Sequence, residues 1–170
     1  NYSIGVECIN MFVGINNVNE LLALSGTSTP DVFSLDIDGI DYYIAKAVLG
    51  GGFRPKIFVV EYNSVYGPER SVTIPYRENF DFHRAHSTRL YYGVSIAAWR
   101  KFFASNGYRF VTVDQKGVNA FFVDPAYFAP KFLDQIDSPQ FIENSYQSLK
   151  FKGPHEKQFP LIAGLEFQDV

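Results

Sequence analysis

Three carboxylates and one carboxamide follow two apolar stretches of the chain, and together they could bind a metal ion. Asp36 and Asp38 follow the first stretch, and Glu61 and Asn63 end the second. Because the carboxyl ends of parallel strands share one edge of a sheet, we expect these side chains to be neighbours. Such oxygen ligands suit Mg²⁺, Mn²⁺ or Ca²⁺, and a bound ion would lower the pKa of a substrate hydroxyl. Another interpretation needs no ion: Asp36 and Asp38 cap the following helix and fix the turn.

A long stretch without helical or strand periodicity, residues 64–94, contains further groups that could act on a substrate. Loops of this length usually bind ligands or cover a site, and its many aromatic residues argue against disorder. His83 or His86 could serve as a general base near neutral pH, and the other interpretation is that both bond to backbone or water. Three arginines of this stretch could bind a phosphate or carboxylate group of a substrate, and the other interpretation is that they form a solvated surface. They are Arg77, Arg84 and Arg89. The candidates for substrate binding are Asn63, Arg84, Arg89 and Tyr92.

The periodicity of apolar residues predicts an alternating series of strands and helices that would position these groups. The predicted strands are 4–9, 32–37, 56–62, 108–113 and 119–123, and the predicted helices are 17–25, 40–49 and 95–106. This alternation favours an α/β fold with a mostly parallel sheet, helices on both faces and a final antiparallel β-hairpin. We predict that residues 1–125 form this domain, with 64–94 as the loop over the site. Residues 126–170 are predicted to be a C-terminal extension or tail.

The composition is that of a globular protein and limits the classes of partner. The chain has 170 residues, of which 46% are hydrophobic and 19% charged, and its net charge is -3. This charge gives no general attraction to nucleic acid or to an anionic membrane. Cys8 is the single cysteine, so no intrachain disulfide is expected, and no apolar run approaches the length of a membrane span. We see no basic-then-apolar leader and expect a cytoplasmic protein.

Five short stretches, in order, resemble the FkbM-type methyltransferases of the class I S-adenosylmethionine-dependent superfamily. They are Asn-Asn-Val-Asn at 16–19, Ser-Leu-Asp-Ile-Asp-Gly-Ile-Asp-Tyr at 34–42, Val-Glu-Tyr-Asn at 60–63, Tyr-Tyr-Gly-Val-Ser at 91–95 and Gly-Val-Asn-Ala-Phe-Phe-Val at 117–123. The resemblance implies the C-terminal half of a Rossmann-like fold and O-methylation of a hydroxyl on a sugar or glycan. It implies that Asp36 and Asp38 bind S-adenosylmethionine and that Asp36 and Glu61 face the methyl donor and the substrate. Metal-dependent catechol-type O-methyltransferases are similar at the strand ends, where two acids and an amide hold Mg²⁺.

One departure from the family concerns its cofactor loop, a glycine-rich turn after the first strand, which this sequence does not contain. On this alignment the first strands of the family are missing, and the strand at 32–37 would lie at an open edge of the sheet. Open edges attract other chains. The chain would then be part of a longer enzyme, would pair with another copy or chain, or would be a non-catalytic binding or assembly domain.

Two other families share the Asp-Ile-Asp-Gly signature. In haloacid dehalogenase phosphatases Asp36 would be the nucleophile and Asp38 the acid and base, although Ile40 stands in place of the usual threonine. In nucleotide-sugar glycosyltransferases the two aspartates would bind Mn²⁺ and a diphosphate. These interpretations share Asp36 and Asp38 with the methyltransferase hypothesis and differ in the substrate.

Overall fold

A four-stranded mixed sheet forms the centre of the structure, a computed structural model that describes residues 8–170. Its strands are β1 (Val32–Leu35), β2 (Ile57–Glu61), β4 (Arg109–Val113) and β5 (Asn119–Val123), and their spatial order is β1-β2-β5-β4. Two short strands, β3 (Val72–Thr73) and β6 (Gln168–Asp169), form a separate antiparallel pair. The predicted α/β class is confirmed.

Seven α-helices are present between residues 8 and 170. They are α1 (Val18–Ala23), α2 (Asp41–Gly50), α3 (Phe82–Ala85), α4 (Ile96–Ser105), α5 (Pro130–Asp134), α6 (Ser145–Lys150) and α7 (His155–Gln158). Ser95 caps α4 as predicted, because its hydroxyl accepts a hydrogen bond from the Ala98 amide at 3.2 Å. The longest of these helices have 10 residues, about half the length that a membrane crossing requires. None of the described helices could therefore span a bilayer.

The directions of the four strands make this a mixed sheet. β1 and β2 pair in parallel, whereas β5 is antiparallel to both of its neighbours, β2 and β4. Three strands therefore point one way, and the reversed β5 lies between two of them. The predicted hairpin of β4 and β5 is confirmed, with an irregularity between Phe110 and Thr112.

The core lies between one face of the sheet and helix α4. Phe58 and Phe122 are paired across β2 and β5 and are fully buried. Phe103 of α4 stacks on Phe122 with ring centroids 4.2 Å apart and contacts Phe58 at 4.9 Å. The opposite face is less well covered by the described residues, because Val32 and Ser34 of β1 are exposed. Helices therefore cover the two faces unequally in this part of the chain.

Strand β1 lies at an edge of the sheet, as the alignment implied. Among residues 8–170 no strand pairs with its outer side, and Val32 is 54% exposed. Residues 4–7 of the predicted strand 4–9 lie outside the described part of the chain, and residues 8 and 9 belong to no strand. The predicted strand 32–37 ends at Leu35, so Asp36 and Asp38 belong to the turn that follows it.

The C-terminal extension (residues 126–170) packs against the long loop (residues 64–94) and the end of β2. Tyr62 donates a hydrogen bond to the Ile142 carbonyl at 2.6 Å, and the Asn144 amide donates to Ser64 Oγ at 2.9 Å. Ile162 is 1% exposed and belongs to the hydrophobic core. Because β6 also pairs with β3 of the loop, the extension is part of the folded body rather than a detached tail.

Candidate functional site

The turn between β1 and α2 is fixed by Asp41 rather than by the two aspartates that precede it. The buried Asp41 carboxylate accepts hydrogen bonds from the backbone amides of Ile37, at 3.0 Å, and Gly39, at 2.9 Å. The N-cap position of α2 is Ile40, and no side chain caps this helix. The predicted capping of α2 by Asp36 and Asp38 is therefore wrong, and their carboxylates remain available for chemistry.

Asp36, Asp38 and Glu61, hereafter the acidic cluster, converge at the ends of β1 and β2. Each offers a carboxylate oxygen, and these oxygens lie within 4.8 Å of one another. Asp36 is exposed and Asp38 is half-buried, whereas Glu61 is only 8% exposed. The parallel pairing of β1 with β2 produces this convergence, as the sequence predicted for these three residues. Three carboxylates in this arrangement could hold a divalent metal ion.

The electrostatics of the acidic cluster favour a positively charged ligand. Burial, and then the charges of Asp36, Asp41 and Asp38, raise the pKa of Glu61 to about 9. Burial also raises the pKa of Asp36 and, together with the charge of Asp36, the pKa of Asp38. Burial raises the pKa of Asp41 to about 6, although the hydrogen bonds from backbone amides act to lower it. Since the charges of Asp36 and Asp38 disfavour ionisation of Glu61, a bound cation would stabilise the charged forms.

A buried hydrogen-bond chain connects the acidic cluster to the C-terminal extension. Tyr92 donates its hydroxyl hydrogen to Glu61 Oε1 at 3.3 Å, and Gln147 Nε2 of α6 donates to Tyr92 Oη at 3.2 Å. Ser64 donates to Gln147 Oε1 at 3.4 Å. Because the Gln147 amide nitrogen can only donate, the Tyr92 hydroxyl acts as its acceptor and directs its own hydrogen to Glu61. Gln147 was not predictable from the sequence, since no local pattern relates it to partners 55 and 83 positions earlier.

A cavity of about 250 Å³ adjoins the acidic cluster, between the long loop and α6. Asp38 is a member of the acidic cluster and also lines the cavity. Tyr92 lines the cavity as well and donates a hydrogen bond to Glu61 of the cluster. The loop contributes Phe82, Thr88, Arg89 and Leu90 to its lining, and the C-terminal extension contributes Asn144, Tyr146, Gln147, Lys150 and Phe151. This cavity is the natural place for a substrate, because it brings aromatic, amide and cationic groups next to the carboxylates.

Asn63 does not join the acidic cluster. Its side chain is 1% exposed and donates to the carbonyls of Leu90, at 2.8 Å, and Tyr92, at 3.1 Å. Its Oδ1 accepts a hydrogen bond from the Val65 amide at 3.2 Å. The carboxamide thus anchors the long loop to the end of β2. The structure does not support the predicted metal-binding and substrate-binding roles of Asn63.

The histidines and arginines of the long loop occupy different positions relative to the site. His83 is exposed, stacks on Phe82 and lies close enough for its charge to oppose the raised pKa of Asp38. His86 makes a local contact, with Nδ1 2.8 Å from the Thr88 hydroxyl. Both Arg84 and Arg89 are exposed, but Arg89 lines the cavity and Arg84 is not among the lining residues. The structure thus brings Arg89 and Tyr92 to the site and leaves Arg84 and His86 outside it.

Comparison of the chain with protein-family models, with curated proteins and with solved structures gave no significant match. The chemistry of the site therefore follows from its own groups. The acidic cluster can bind a cation or accept a proton, and Tyr92 can orient Glu61. The adjoining cavity can hold a small organic molecule next to both.

Proposed function

We propose that this chain is an S-adenosylmethionine-dependent O-methyltransferase domain that acts on a hydroxyl of a sugar or glycan. The observation that supports this most is the convergence of Asp36, Asp38 and Glu61 beside a cavity of about 250 Å³. The methyl donor is a sulfonium cation, which suits a cluster of carboxylates whose charges oppose the ionisation of Glu61. The hairpin of β4 and β5, which the family resemblance implies, is present as well.

The residues present fit one end of the cofactor. Asp36 and Asp38 lie in the turn after β1, where their carboxylates would face the positively charged sulfur. When bound, S-adenosylmethionine supplies an electrophilic methyl group. The glycine-rich turn of the family is not in this sequence, so none of its residues is assigned to the adenosyl end of the cofactor.

Asp36 and Glu61 have different roles towards the acceptor hydroxyl in this proposal. The acceptor would lie in the cavity with its reacting hydroxyl towards the acidic cluster. Asp36, the most exposed of the three acids, accepts the hydroxyl proton, and its raised pKa makes it a stronger base than an ordinary aspartate. Glu61 is protonated at neutral pH and is oriented by Tyr92, so it can donate a hydrogen bond to the acceptor oxygen.

A divalent ion is the second form of this proposal. Mg²⁺ or Mn²⁺ held by the acidic cluster would lower the pKa of the acceptor hydroxyl and make a protein base unnecessary. The three carboxylates are hard oxygen ligands at suitable mutual distances. A metal requirement of binding or turnover distinguishes this form from general-base catalysis by Asp36.

Isothermal titration of S-adenosylmethionine and its demethylated product into the chain, with and without Mg²⁺ or Mn²⁺, tests the proposal. We expect micromolar binding that weakens in Asp36→Asn and Asp38→Asn. Asp137→Asn is the matched control, because Asp137 is an exposed aspartate outside the acidic cluster. If neither compound binds under any of these conditions, this chain does not form the cofactor site and the proposal fails for it.

The open edge of β1 favours a second candidate function, that of a non-catalytic binding or assembly domain. The outer side of β1 is unpaired within residues 8–170, and Val32 on this strand is 54% exposed. Such an edge can pair with a strand of another chain. Size-exclusion chromatography with light scattering would show concentration-dependent association that Val32→Lys reduces. A chain that stays monomeric at all concentrations would contradict self-association through this edge.

A further inference from the structure

Two exposed cationic side chains line the cavity. Arg89 belongs to the long loop, and Lys150 is the last residue of α6. Within residues 8–170 neither forms an ion pair, whereas Arg54, Lys56 and Arg109 each have an aspartate partner. A small cavity with two cations that lack acidic partners provides a site for an anionic group.

The backbone at this cavity is held in a conformation that side chains disfavour. Arg89 has φ 61° and Asp38 has φ 53°, both in the left-handed region. Two other non-glycine residues between positions 8 and 170, Asn79 and Lys152, also have positive φ and are not among the residues that line this cavity. Backbone strain of this kind concentrates at ligand-binding sites, where the surrounding structure holds it in place.

Aromatic rings form much of the remaining wall. Phe82, Tyr92, Tyr146 and Phe151 all line the cavity, and Tyr146 is 69% exposed. The Lys150 ammonium lies 5.2 Å from the centroid of the Phe151 ring and 6.0 Å from that of Tyr146. Aromatic faces pack against the C–H surfaces of sugar rings, while cations bind acidic substituents.

We propose that the cavity binds an acidic saccharide, whose carboxylate or phosphate is held by Arg89 and Lys150. This inference rests on the proposed function only in identifying that saccharide with the methyl acceptor. The anionic group would lie between these two cations. Because Asp38 of the acidic cluster lines the same cavity, a hydroxyl of the ligand could then lie next to the cluster. The like charge of the acidic cluster keeps the anionic group at the cationic end and so fixes the orientation of the ligand.

Titration of the isotope-labelled chain by NMR, without S-adenosylmethionine, tests this inference. The probes are methyl glucuronide, with a carboxylate, glucose 6-phosphate, with a phosphate, and methyl glucoside as the neutral control. We expect at least one anionic probe to bind at least about tenfold more tightly than methyl glucoside. The amide shifts should lie in residues 88–92 and 146–151. The tighter of the two anionic probes identifies the preferred acidic group.

Arg89→Gln and Lys150→Gln should each abolish the preference for the anionic probe. Arg84→Gln, in the same loop but outside the cavity lining, should retain it. The inference is overturned if neither anionic probe binds, if all three probes bind equally, or if Arg84→Gln has the same effect as Arg89→Gln. Anion-selective binding without any methyl transfer would refute the proposed function alone, and methylation of neutral sugars only would refute the acidic-saccharide inference alone.

Discussion

Replacement of Glu61 by glutamine should stabilise the protein, and the gain should grow with pH. Glu61 is 8% exposed, and burial with neighbouring negative charges raises its pKa from 4.5 to about 9. The folded state therefore retains a proton on Glu61 that the unfolded chain releases above its ordinary pKa. The contribution of this proton to the free energy of unfolding is complete below pH 4.5. It is lost progressively as the pH rises to about 9.

The size of the effect follows from the linkage of proton binding to folding. Between the unfolded and folded pKa values, the free energy of unfolding falls by about 1.4 kcal/mol for each pH unit. Over the three pH units above the unfolded pKa of Glu61 the loss is about 4 kcal/mol, a large part of the roughly 5–15 kcal/mol typical of a domain. Glu61→Gln keeps the volume and can accept the Tyr92 hydrogen bond, but cannot ionise. The free energy of unfolding of Glu61→Gln should therefore lack the decrease with pH that ionisation of Glu61 causes in the wild type.

Urea unfolding of both proteins, followed by the fluorescence of the single tryptophan, Trp99, measures this difference. Trp99 is fully buried and donates to the Glu61 carbonyl at 2.8 Å, so it reports on the relevant region. The two proteins should have equal stability near pH 4.5 and diverge by several kcal/mol near pH 8. Asp137→Asn is the control and should give a stability curve parallel to that of the wild type, because Asp137 is exposed and lies outside the acidic cluster. Parallel stability curves for wild type and Glu61→Gln would refute the reasoning.

Three further substitutions test other parts of the structure by the same unfolding assay. Tyr92→Phe leaves the buried amide of Gln147 without its acceptor and should cost about 1–3 kcal/mol, so an unchanged stability would contradict the hydrogen-bond chain. Asp41→Ala leaves two backbone amides of the β1–α2 turn unbonded and should cost about 2 kcal/mol or more. Phe103→Ala removes the ring between Phe58 and Phe122 and should cost about 3–5 kcal/mol, whereas the exposed Phe132→Ala should cost little.

The elements that the sequence predicted well depend on local signals. Ser95 as a helix cap and the hairpin around residues 114–117 follow from side-chain and turn chemistry within a few residues. The convergence of Asp36 with Glu61 was predictable for a related reason: both lie where an apolar run ends, and the ends of parallel neighbours meet. Strand ends are therefore a usable guide to this site.

Apart from the turn that Asp41 fixes, the features that the sequence did not reveal depend on distant contacts. The anchoring role of Asn63 was not predictable because its amide donates to the carbonyls of Leu90 and Tyr92, about 30 residues later. Gln147 and Lys150 were missed because they reach the site only when the C-terminal extension folds over the long loop. Periodicity within a segment contains no information about such contacts. The reversed placement of β5 between β2 and β4 likewise depends on long-range pairing.

The chemical identity of Glu61 separates the two functional hypotheses. A domain that served only to bind another chain would gain stability from glutamine here, because glutamine also accepts the Tyr92 hydrogen bond and carries no ionisation cost. Asp41 differs, since both of its carboxylate oxygens accept backbone hydrogen bonds and so have a structural use. The Glu61 carboxylate accepts a hydrogen bond from Tyr92, which glutamine could accept as well, and proteins tolerate a destabilising group where function requires it. The proposed acid role would account for glutamate at this position, and the stability of Glu61→Gln measures how large the cost of that glutamate is.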